Sequence, residues 1–272
     1  MTDPSAGFLG ARRVRELLDE HNIRLTKSLG QNFVIDPNTI RKVVELAHVR
    51  PGDKVLEVGA GAGSLTVGLA AAGAEVTALE IDERLLPILA ETTRGLSVDV
   101  VHQDAMTYDF SSVSATTIVA NLPYNIAATL VLKILEEAPA IQRLTVMTQR
   151  EVSERLAAAP GSKTYGLSTV LAGYWATARL AGTVSRNAFF PVPNVDSALV
   201  ELTRHDKFES VDYARFKQIA KAAFGQRRKM LRASLAVLAL PPECFEAASI
   251  DPTARAEELP VASFARLTSV CC

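Results

Sequence analysis

The sequence predicts an α/β protein in which a doubly wound, mostly parallel sheet of seven strands precedes a small α-helical domain. Short apolar segments alternate with helical segments from residue 54 onward, which is the pattern of parallel strands with helices on both faces of the sheet. Two later apolar segments, 174–185 and 197–205, follow without an intervening helix, so we expect an antiparallel strand at one side. After residue 204 the pattern is helical. We therefore expect one domain at residues 1–204 and a helical domain at residues 205–272.

The residues before the sheet contain two predicted helices joined by an extended arm. Residues 11–21, ARRVRELLDEH, place three aliphatic side chains on one helical face. Residues 24–36, RLTKSLGQNFVID, have no helical periodicity and form the predicted arm. Asp36 followed by Pro37 is a typical N-cap and first helical residue, so the second helix begins there.

The segments of the sheet follow in a regular order along the chain. The predicted strands are KVLEV (54–58), EVTALE (75–80), SVDVV (97–101), TTIVA (116–120), RLTVMTQ (143–149) and the two later segments. The predicted helices cover residues 64–72, 83–93, 128–138, 150–158, 213–225, 229–239 and 261–271.

The composition limits the class of protein. Hydrophobic residues make up 48% of the 272 residues and charged residues 22%, which are ordinary globular proportions. The first residues lack a basic region followed by an apolar core, and no apolar run has the length of a membrane span, so we expect a cytoplasmic protein. Cys244, Cys271 and Cys272 have no C-x-x-C spacing and the four histidines are scattered, so we expect neither a disulfide framework nor a metal site.

Charge is distributed unevenly, although the formal net charge is only −1. Residues 51–110 hold 3 basic and 10 acidic side chains, whereas residues 204–272 hold 11 basic and 8 acidic ones. Part of the basic charge gathers in GQRRKMLRASL, residues 225–235. A charge run of this kind is more often a solvated helix face than a contact for nucleic acid, so the charge alone does not identify a partner.

A glycine-rich loop, LEVGAGAGSLT, joins the first predicted strand to the next helix. Gly59, Gly61 and Gly63 allow a tight turn and the close approach of a ligand. The spacing is G-x-G-x-G, and Ser64 stands where a nicotinamide dinucleotide fingerprint needs its third glycine. This spacing suits a nucleoside without a pyrophosphate, such as S-adenosylmethionine.

Two carboxylates follow the loop at the ends of the next strands. Glu80 lies about 20 residues beyond the loop, where a carboxylate accepts hydrogen bonds from ribose hydroxyls. Asp104 follows the third strand and is placed to accept from an adenine amino group. We also expect cofactor contacts at Ile81 and Ala105, which directly follow the two carboxylates in the chain. Either carboxylate alone is an ordinary loop residue, but the ordered set predicts a cofactor site at the carboxyl ends of the strands.

The fourth strand runs into Asn121-Leu122-Pro123-Tyr124. An asparagine and a proline after a strand are consistent with a plain turn. The position at the same sheet edge favours a pocket for a flat aromatic amine. The oxygen of Asn121 and the carbonyl of Leu122 can accept the two amine hydrogens, Pro123 stiffens the turn, and Tyr124 can stack on the ring.

Along nearly its whole length, the chain resembles the adenine dimethyltransferases of small-subunit ribosomal RNA, the KsgA family. The matching segments are KSLGQNF, LEVGAGAGSLT, Glu80, QDA, NLPYNIA, AFFPVPNVDSALVEL and FGQRRKMLRASL. The last segment is the most discriminating, because many methyltransferases share the glycine loop. The resemblance implies a Rossmann-like methyltransferase sheet and S-adenosylmethionine as cofactor. It also implies dimethylation of the 6-amino groups of two adjacent adenosines near the 3′ end of 16S RNA, linked to ribosome biogenesis.

The resemblance also assigns residues. It implies cofactor contacts at Gln31, Asn32, Val34, Gly59, Glu80, Asp104 and Asn121, base contacts at Asn121, Tyr124 and Phe189, and RNA phosphate contacts at Arg227, Arg228, Lys229 and Arg232. The chain departs from the family where Val34 replaces a leucine, where Ala60 replaces a proline, and where VSRNAFFPVPNVDS lacks a lysine. The missing lysine puts one phosphate contact in doubt.

Alternative functions stay open at the level of sequence. A related antibiotic-resistance enzyme acting on large-subunit RNA shares the arm, the glycine loop and the Asn-x-Pro-Tyr segment, although the FGQRRKMLRASL segment disfavours it. An assembly factor that acts chiefly by binding the small subunit is the second alternative. A DNA adenine methyltransferase is disfavoured, because no segment resembles a sequence-reading module. We expect a monomer that binds neither membrane nor DNA.

Overall fold

The computed structural model describes residues 8–25, 31–206, 208, 211–226 and 228–271. The strands are β1 (Phe33–Val34), β2 (Lys54–Val58), β3 (Glu75–Glu80), β4 (Val98–His102), β5 (Thr117–Asn121), β6 (Arg143–Gln149), β7 (Ala176–Val184), β8 (Phe189–Phe190) and β9 (Ser197–Arg204). The helices are α1 (Ala11–Glu20), α2 (Pro37–Leu46), α3 (Ser64–Ala71), α4 (Leu86–Thr92), α5 (Ala127–Glu137), α6 (Arg150–Leu156), α7 (Leu167–Trp175), α8 (Tyr213–Gly225), α9 (Leu231–Ser234), α10 (Glu243–Ala247) and α11 (Val261–Val270).

Within the described residues, seven strands form one sheet in the order β4-β3-β2-β5-β6-β9-β7. The pairs β4–β3, β3–β2, β2–β5 and β5–β6 are parallel, and β9 runs antiparallel to β6. The central strands β5 and β6 are almost fully buried, as strands covered by helices on both faces should be. The predicted doubly wound, mostly parallel sheet with an antiparallel strand at one side is confirmed.

The N-terminal helix and the arm pack beside the glycine loop. A small core joins Val14 and Leu17 of α1 to Phe33 of the arm and Ala62 of the loop. The second helix begins as predicted, because the side chain of Asp36 accepts hydrogen bonds from the backbone N–H groups of the first turn of α2. Residues 26–30 of the arm lie outside the described residues.

Two local predictions were wrong, and one small element was not predicted. The strand predicted from Tyr174 begins instead at Ala176, because Tyr174 and Trp175 complete α7. The helix predicted over residues 229–239 is only the four-residue α9 followed by a 3-10 turn. It cannot extend backwards, because Met230 is extended and the N–H groups of Leu231 and Arg232 donate to carbonyls of the 252–254 loop. The two-stranded ribbon of β1 and β8 was not predicted, because each strand has only two residues.

The chain divides into two compact units, and the division differs from a single boundary after residue 204. The first unit contains Met1–Ser153 and Arg179–Thr203, and the second contains Glu154–Ala178 and Arg204–Cys272. Helix α7 belongs to the second unit because its buried face packs against α8 and α11. Gly173 allows this approach, since a Cβ there would lie 2.8 Å from a methyl group of Val261.

Two further features concern membranes and metals. Among the described residues, no helix has the length and apolarity that crossing a membrane requires. The described part of the chain also contains no cluster of three or more His, Cys, Asp or Glu side chains that could hold a metal ion.

Candidate active site

The predicted site residues meet where the strand order of the sheet reverses. From β2 the chain continues through β3 to β4 on one side, and it then crosses to β5 on the other side of β2. Because β2, β3, β4 and β5 are parallel, the loops that follow them lie at one edge of the sheet. A crevice at such a reversal is the usual ligand site of open α/β sheets.

Two neighbouring cavities open at this edge. The first has a volume of about 70 Å³ and is lined by Gln31, Asn32, Phe33, Gly59, Gly61, Glu80, Ile81, Leu85, Asn121, Leu122, Pro123 and Tyr124. The second has a volume of about 200 Å³, and its lining includes the polar residues Gln103 and Asp104 together with Ala105 and Met106. The two cavities share Gly59, Ile81, Leu122 and Pro123, so they form the two halves of one site.

The glycine loop holds a backbone conformation that other residues rarely adopt. Gly61 has a φ of +60°, and a Cβ at this position would lie 2.7 Å from the ring of Phe33. Its N–H donates to Glu80 Oε2 at 2.7 Å. The loop, the arm and the carboxylate of Glu80 are therefore fitted together at this point.

Glu80 is buried, and backbone groups hold both of its oxygens. Its Oε1 accepts from the N–H of Asp82 at 2.9 Å, and the side chain is only 5% exposed. Burial raises the pKa of Glu80, and the hydrogen bonds from Asp82 and Gly61 oppose this effect. The carboxylate is thus fixed in place, with lone pairs left for hydroxyl donors in the first cavity.

Asp104 occupies the corresponding place in the second cavity. Its Oδ1 accepts from the N–H of Met106 at 2.8 Å, which closes a tight turn after β4. The other carboxylate oxygen remains available to a ligand in the cavity. Ala105 and the exposed side chain of Ile81 add apolar walls on which a flat ring can pack.

Asn121 ends β5, and its amide is oriented by the arm. Its Nδ2 donates to the backbone carbonyl of Asn32 at 2.8 Å, so the acceptor Oδ1 remains for a ligand. The next residue, Leu122, donates its N–H to Met147 of β6 at 2.9 Å. No donor among the described residues bonds to the Leu122 carbonyl. The lining of the first cavity thus includes two consecutive residues that each offer an acceptor, Oδ1 of the Asn121 side chain and the backbone carbonyl of Leu122.

Tyr124 is held by a residue that sequence reasoning missed. Its Oη lies 3.0 Å from Oγ of Ser197, which is fully buried at the start of β9. Burial raises the pKa of the Tyr124 phenol, so it stays neutral at physiological pH. The serine stands in the AFFPVPNVDSALVEL segment, but no local pattern indicates that it reaches a tyrosine 73 positions earlier.

The structure does not bring Val34 or Phe189 to the cavities. The two residues pair across the β1–β8 ribbon, and both point into the main hydrophobic core. Successive side chains of a strand point to opposite faces, and residues that pair directly across two strands point to the same face. Phe189 therefore faces the same side as Val34. Phe189 is only 1% exposed and presents no face on which a base could stack. Any cofactor contact of Val34 is left to its backbone.

Three of the four predicted RNA-contacting residues lie on the surface. Arg228 and Lys229 are exposed in the turn between α8 and α9, and Arg232 is exposed on α9. They therefore occupy a turn and a short helix, not the longer basic helix that the sequence predicted. Arg227 lies outside the described residues.

Glu57 is a second residue that sequence reasoning did not assign. It lies in β2, directly below the glycine loop, and is 1% exposed. Burial raises its pKa to about 8, so the side chain is largely uncharged at neutral pH. A hydrophobic strand pattern interrupted by one glutamate was the available signal, but it does not distinguish a buried acid from a surface one.

The acceptors and walls of the site fit S-adenosylmethionine. Glu80 offers a fixed carboxylate for ribose hydroxyls, and Asp104 with its apolar neighbours offers an acceptor and a flat surface for adenine. Gly59, which has a φ of +79°, lies in the wall that the two cavities share. It leaves room for a ligand there, which a side chain would fill. The buried Gln31 Oε1 has no hydrogen-bond partner among the described residues, so a polar ligand atom in the first cavity could satisfy it.

The chain is similar to known proteins over most of its length. The model of the family "Ribosomal RNA adenine dimethylase" matches residues 22–271. The ribosomal RNA small subunit methyltransferase A of Streptomyces coelicolor is 45% identical over 98% of this chain and 98% of its own length. The protein of the same name from Leifsonia xyli subsp. xyli is 45% identical over 96% of this chain and 98% of its own length.

Two solved structures share the fold. A dimethyladenosine transferase from Plasmodium falciparum has a TM-score of 0.77 and 25% identity, over 85% of this chain and 94% of that one. The 23S rRNA methyltransferase ErmE has a TM-score of 0.71 and 28% identity, over 88% of this chain and 99% of that one.

Proposed function

The chain belongs to the ribosomal RNA adenine dimethylase family, and from this premise we propose that it dimethylates adenosines of small-subunit ribosomal RNA with S-adenosylmethionine. The proposed targets are the 6-amino groups of two adjacent adenosines near the 3′ end of 16S RNA. The proposed setting is the cytoplasm, in the course of ribosome biogenesis, with the enzyme acting as a monomer.

The paired acceptors after β5 are the observation that carries this proposal. The donation from Asn121 to the carbonyl of Asn32 leaves Oδ1 of Asn121 as an acceptor, and the next residue, Leu122, adds a backbone carbonyl to the lining of the same cavity. Two adjacent acceptors match the two hydrogens of a neutral amino group, and Tyr124 offers an aromatic face for the ring that carries it. An exocyclic amine of adenine has this combination of features.

The residues of the site would act by positioning and electrostatics. S-adenosylmethionine, when bound, supplies an electrophilic methyl group. The amine of adenine is a weak nucleophile, because its lone pair is delocalised into the ring. Acceptance of its hydrogens by Asn121 and Leu122 favours a pyramidal nitrogen and stabilises the positive charge that develops during attack. The proton becomes acidic as the new N–C bond forms, so it can leave to solvent without a strong base.

Methyl transfer to purified small subunits that lack the modification tests this proposal. We expect labelled methyl groups on two adjacent adenosines, two on each, when the products are mapped. Asn121→Ala should lower the rate about a hundredfold, because loss of one positioned polar contact to the transition state has that order of effect. Asn38→Ala, which removes an exposed amide on α2, is the matched control. Normal turnover by the Asn121 variant would refute the role assigned to it.

A large-subunit target is the second candidate, because the chain shares its fold and 28% sequence identity with a 23S rRNA methyltransferase. The mapping experiment separates the two candidates when purified small and large subunits are offered together. Methyl groups confined to the large subunit would replace the first proposal by the second.

The exposed basic residues of the second unit are proposed to contact RNA phosphates. Arg228, Lys229 and Arg232 are exposed, and Arg227 of the same run completes the proposed set. Contacts of this kind orient a nucleic acid without reading its sequence. The adenosine that reaches Asn121 would then be selected by the shape of the RNA around it.

A further inference from the structure

We propose that Asp82 is a positioning residue for methyl transfer, which acts through Gln31 and Asn32 on the amide of Asn121. This inference rests on the proposed function, because it takes the role of Asn121 from it. Asp82 lines neither cavity and is 5% exposed, at the start of the 3-10 turn Glu83–Leu85. It therefore acts on a ligand only through the residues that it holds.

Asp82 accepts hydrogen bonds from two residues, one on the arm and one in its own turn. Gln31 Nε2 donates to Oδ2 at 2.8 Å. Arg84 donates from Nη2 to Oδ2 at 2.6 Å, from Nε to Oδ1 at 2.8 Å, and from its backbone N–H to Oδ1 at 3.1 Å. The guanidinium of Arg84 lowers the pKa of Asp82, so the group stays a carboxylate. Each oxygen of Asp82 accepts from two donors, and only an ionised carboxylate can accept at both oxygens in this way.

The contacts of Asp82 and Arg84 fix the arm at two places. Gln31 is held directly by Asp82, and Arg84 Nη1 donates to the carbonyl of Arg24 at 3.2 Å. The residue after Gln31 is Asn32, whose carbonyl accepts the hydrogen bond from Asn121. A continuous path of short bonds thus leads from a buried carboxylate to the proposed acceptor of the amine.

The path matters because an asparagine amide has two nearly equivalent orientations. The contact between Nδ2 and the Asn32 carbonyl selects the one in which Oδ1 is left for the substrate. If the arm moves away, the amide can turn over and present N–H groups to an amine that is itself a donor. The side chain of Asp82 would therefore affect the chemical step through Asn121, and cofactor binding through Gln31, which lines the first cavity.

The experiment compares Asp82→Asn with Asp109→Asn. Asp109 begins the 3-10 turn Phe110–Ser112 and accepts from the N–H of Ser111 at 3.0 Å, but it lines neither cavity. We expect Asp82→Asn to lower kcat about tenfold and to raise KM for S-adenosylmethionine, because a hydrogen bond to a charged group contributes a factor of this order. Asp109→Asn should leave both parameters within about twofold of wild type. Thermal unfolding of both variants measures how much stability each substitution costs.

A double-mutant cycle with Gln31→Met tests the path itself and does not depend on the folding of one variant. Methionine keeps the length of the side chain but cannot donate to Asp82. We expect the double variant to be no slower than the slower single variant. Additive effects, or equal losses in the Asp82 and Asp109 variants, would overturn the inference. Wild-type activity on small subunits is measured in the same series, so a failure of the proposed function would be seen separately.

Discussion

Replacing Ser197 with alanine should slow methyl transfer while leaving cofactor affinity within about twofold of wild type. Ser197 Oγ lies 3.0 Å from Oη of Tyr124, and the serine is fully buried on β9, outside both cavities. The substitution removes this contact and leaves the backbone of β9 unchanged. The Tyr124 ring then loses the bond that fixes its orientation toward the base.

The magnitude follows from the kind of bond and from its surroundings. A hydrogen bond between two neutral groups contributes about 0.5–1.5 kcal/mol. Tyr124 is half-buried, so its hydroxyl can find water in the variant and is not left unpaired. We therefore expect a loss of about 1 kcal/mol, which corresponds to a roughly fivefold fall in kcat/KM for the RNA.

Three variants make the assay specific. Tyr124→Phe removes the same bond from the other side, so it should reproduce the effect, and the double variant should lose little more. Ser153→Ala is the control, because Ser153 is equally buried and donates to the carbonyl of Ala198 at 3.1 Å without touching Tyr124. Single-turnover rates and binding of S-adenosylmethionine are measured for each. An unchanged rate in the Ser197 variant, or an equal loss in the Ser153 variant, would refute the reasoning.

Three more outcomes are expected. Burial raises the pKa of Glu57 to about 8 from 4.5, so the fold holds a proton that the unfolded chain releases and stability falls as pH rises between these values. Glu57→Gln should flatten Tm over that range, and equal slopes would contradict this. Gly61→Ala should weaken cofactor binding more than tenfold, because the added methyl group would clash with the ring of Phe33. Gly95→Ala is the control. Gly95 also has a positive φ, +78°, but no atom lies near its added methyl group, so this variant should lose only about 1 kcal/mol of stability. Arg228→Ala should reduce the salt dependence of RNA binding by about one ion, whereas the control Arg94→Ala, at another exposed arginine, should leave it unchanged. Identical salt slopes for the two variants would argue against a phosphate contact of Arg228.

Local chemistry explains what could be predicted from the sequence. The period of the strands and helices depends only on neighbouring residues, so the order of α/β elements and the Asp36 cap were predictable. The positions of the glycine loop, Glu80 and Asn121 followed, because parallel strands bring their carboxyl ends to one edge. Even the antiparallel strand β9 was indicated by the missing helix before it.

The tertiary structure decided the features that depend on distant pairs. Phe189 is an aromatic residue in a matching segment, but the ribbon with β1 turns it into the core beside Val34. Residues 154–178 group with the C-terminal helices because of packing that no boundary in composition reveals.

By itself, the sequence determined which chemical groups stand at the carboxyl edge of the sheet. How those groups are oriented was decided by contacts between residues far apart in the chain. Asn121 meets the carbonyl of Asn32 across 89 positions, Gln31 meets Asp82 across 51, and Tyr124 meets Ser197 across 73. The physical reason is that periodicity and turn chemistry act over a few residues. The partner that orients a side chain is set by how the packed strands bring separate segments together.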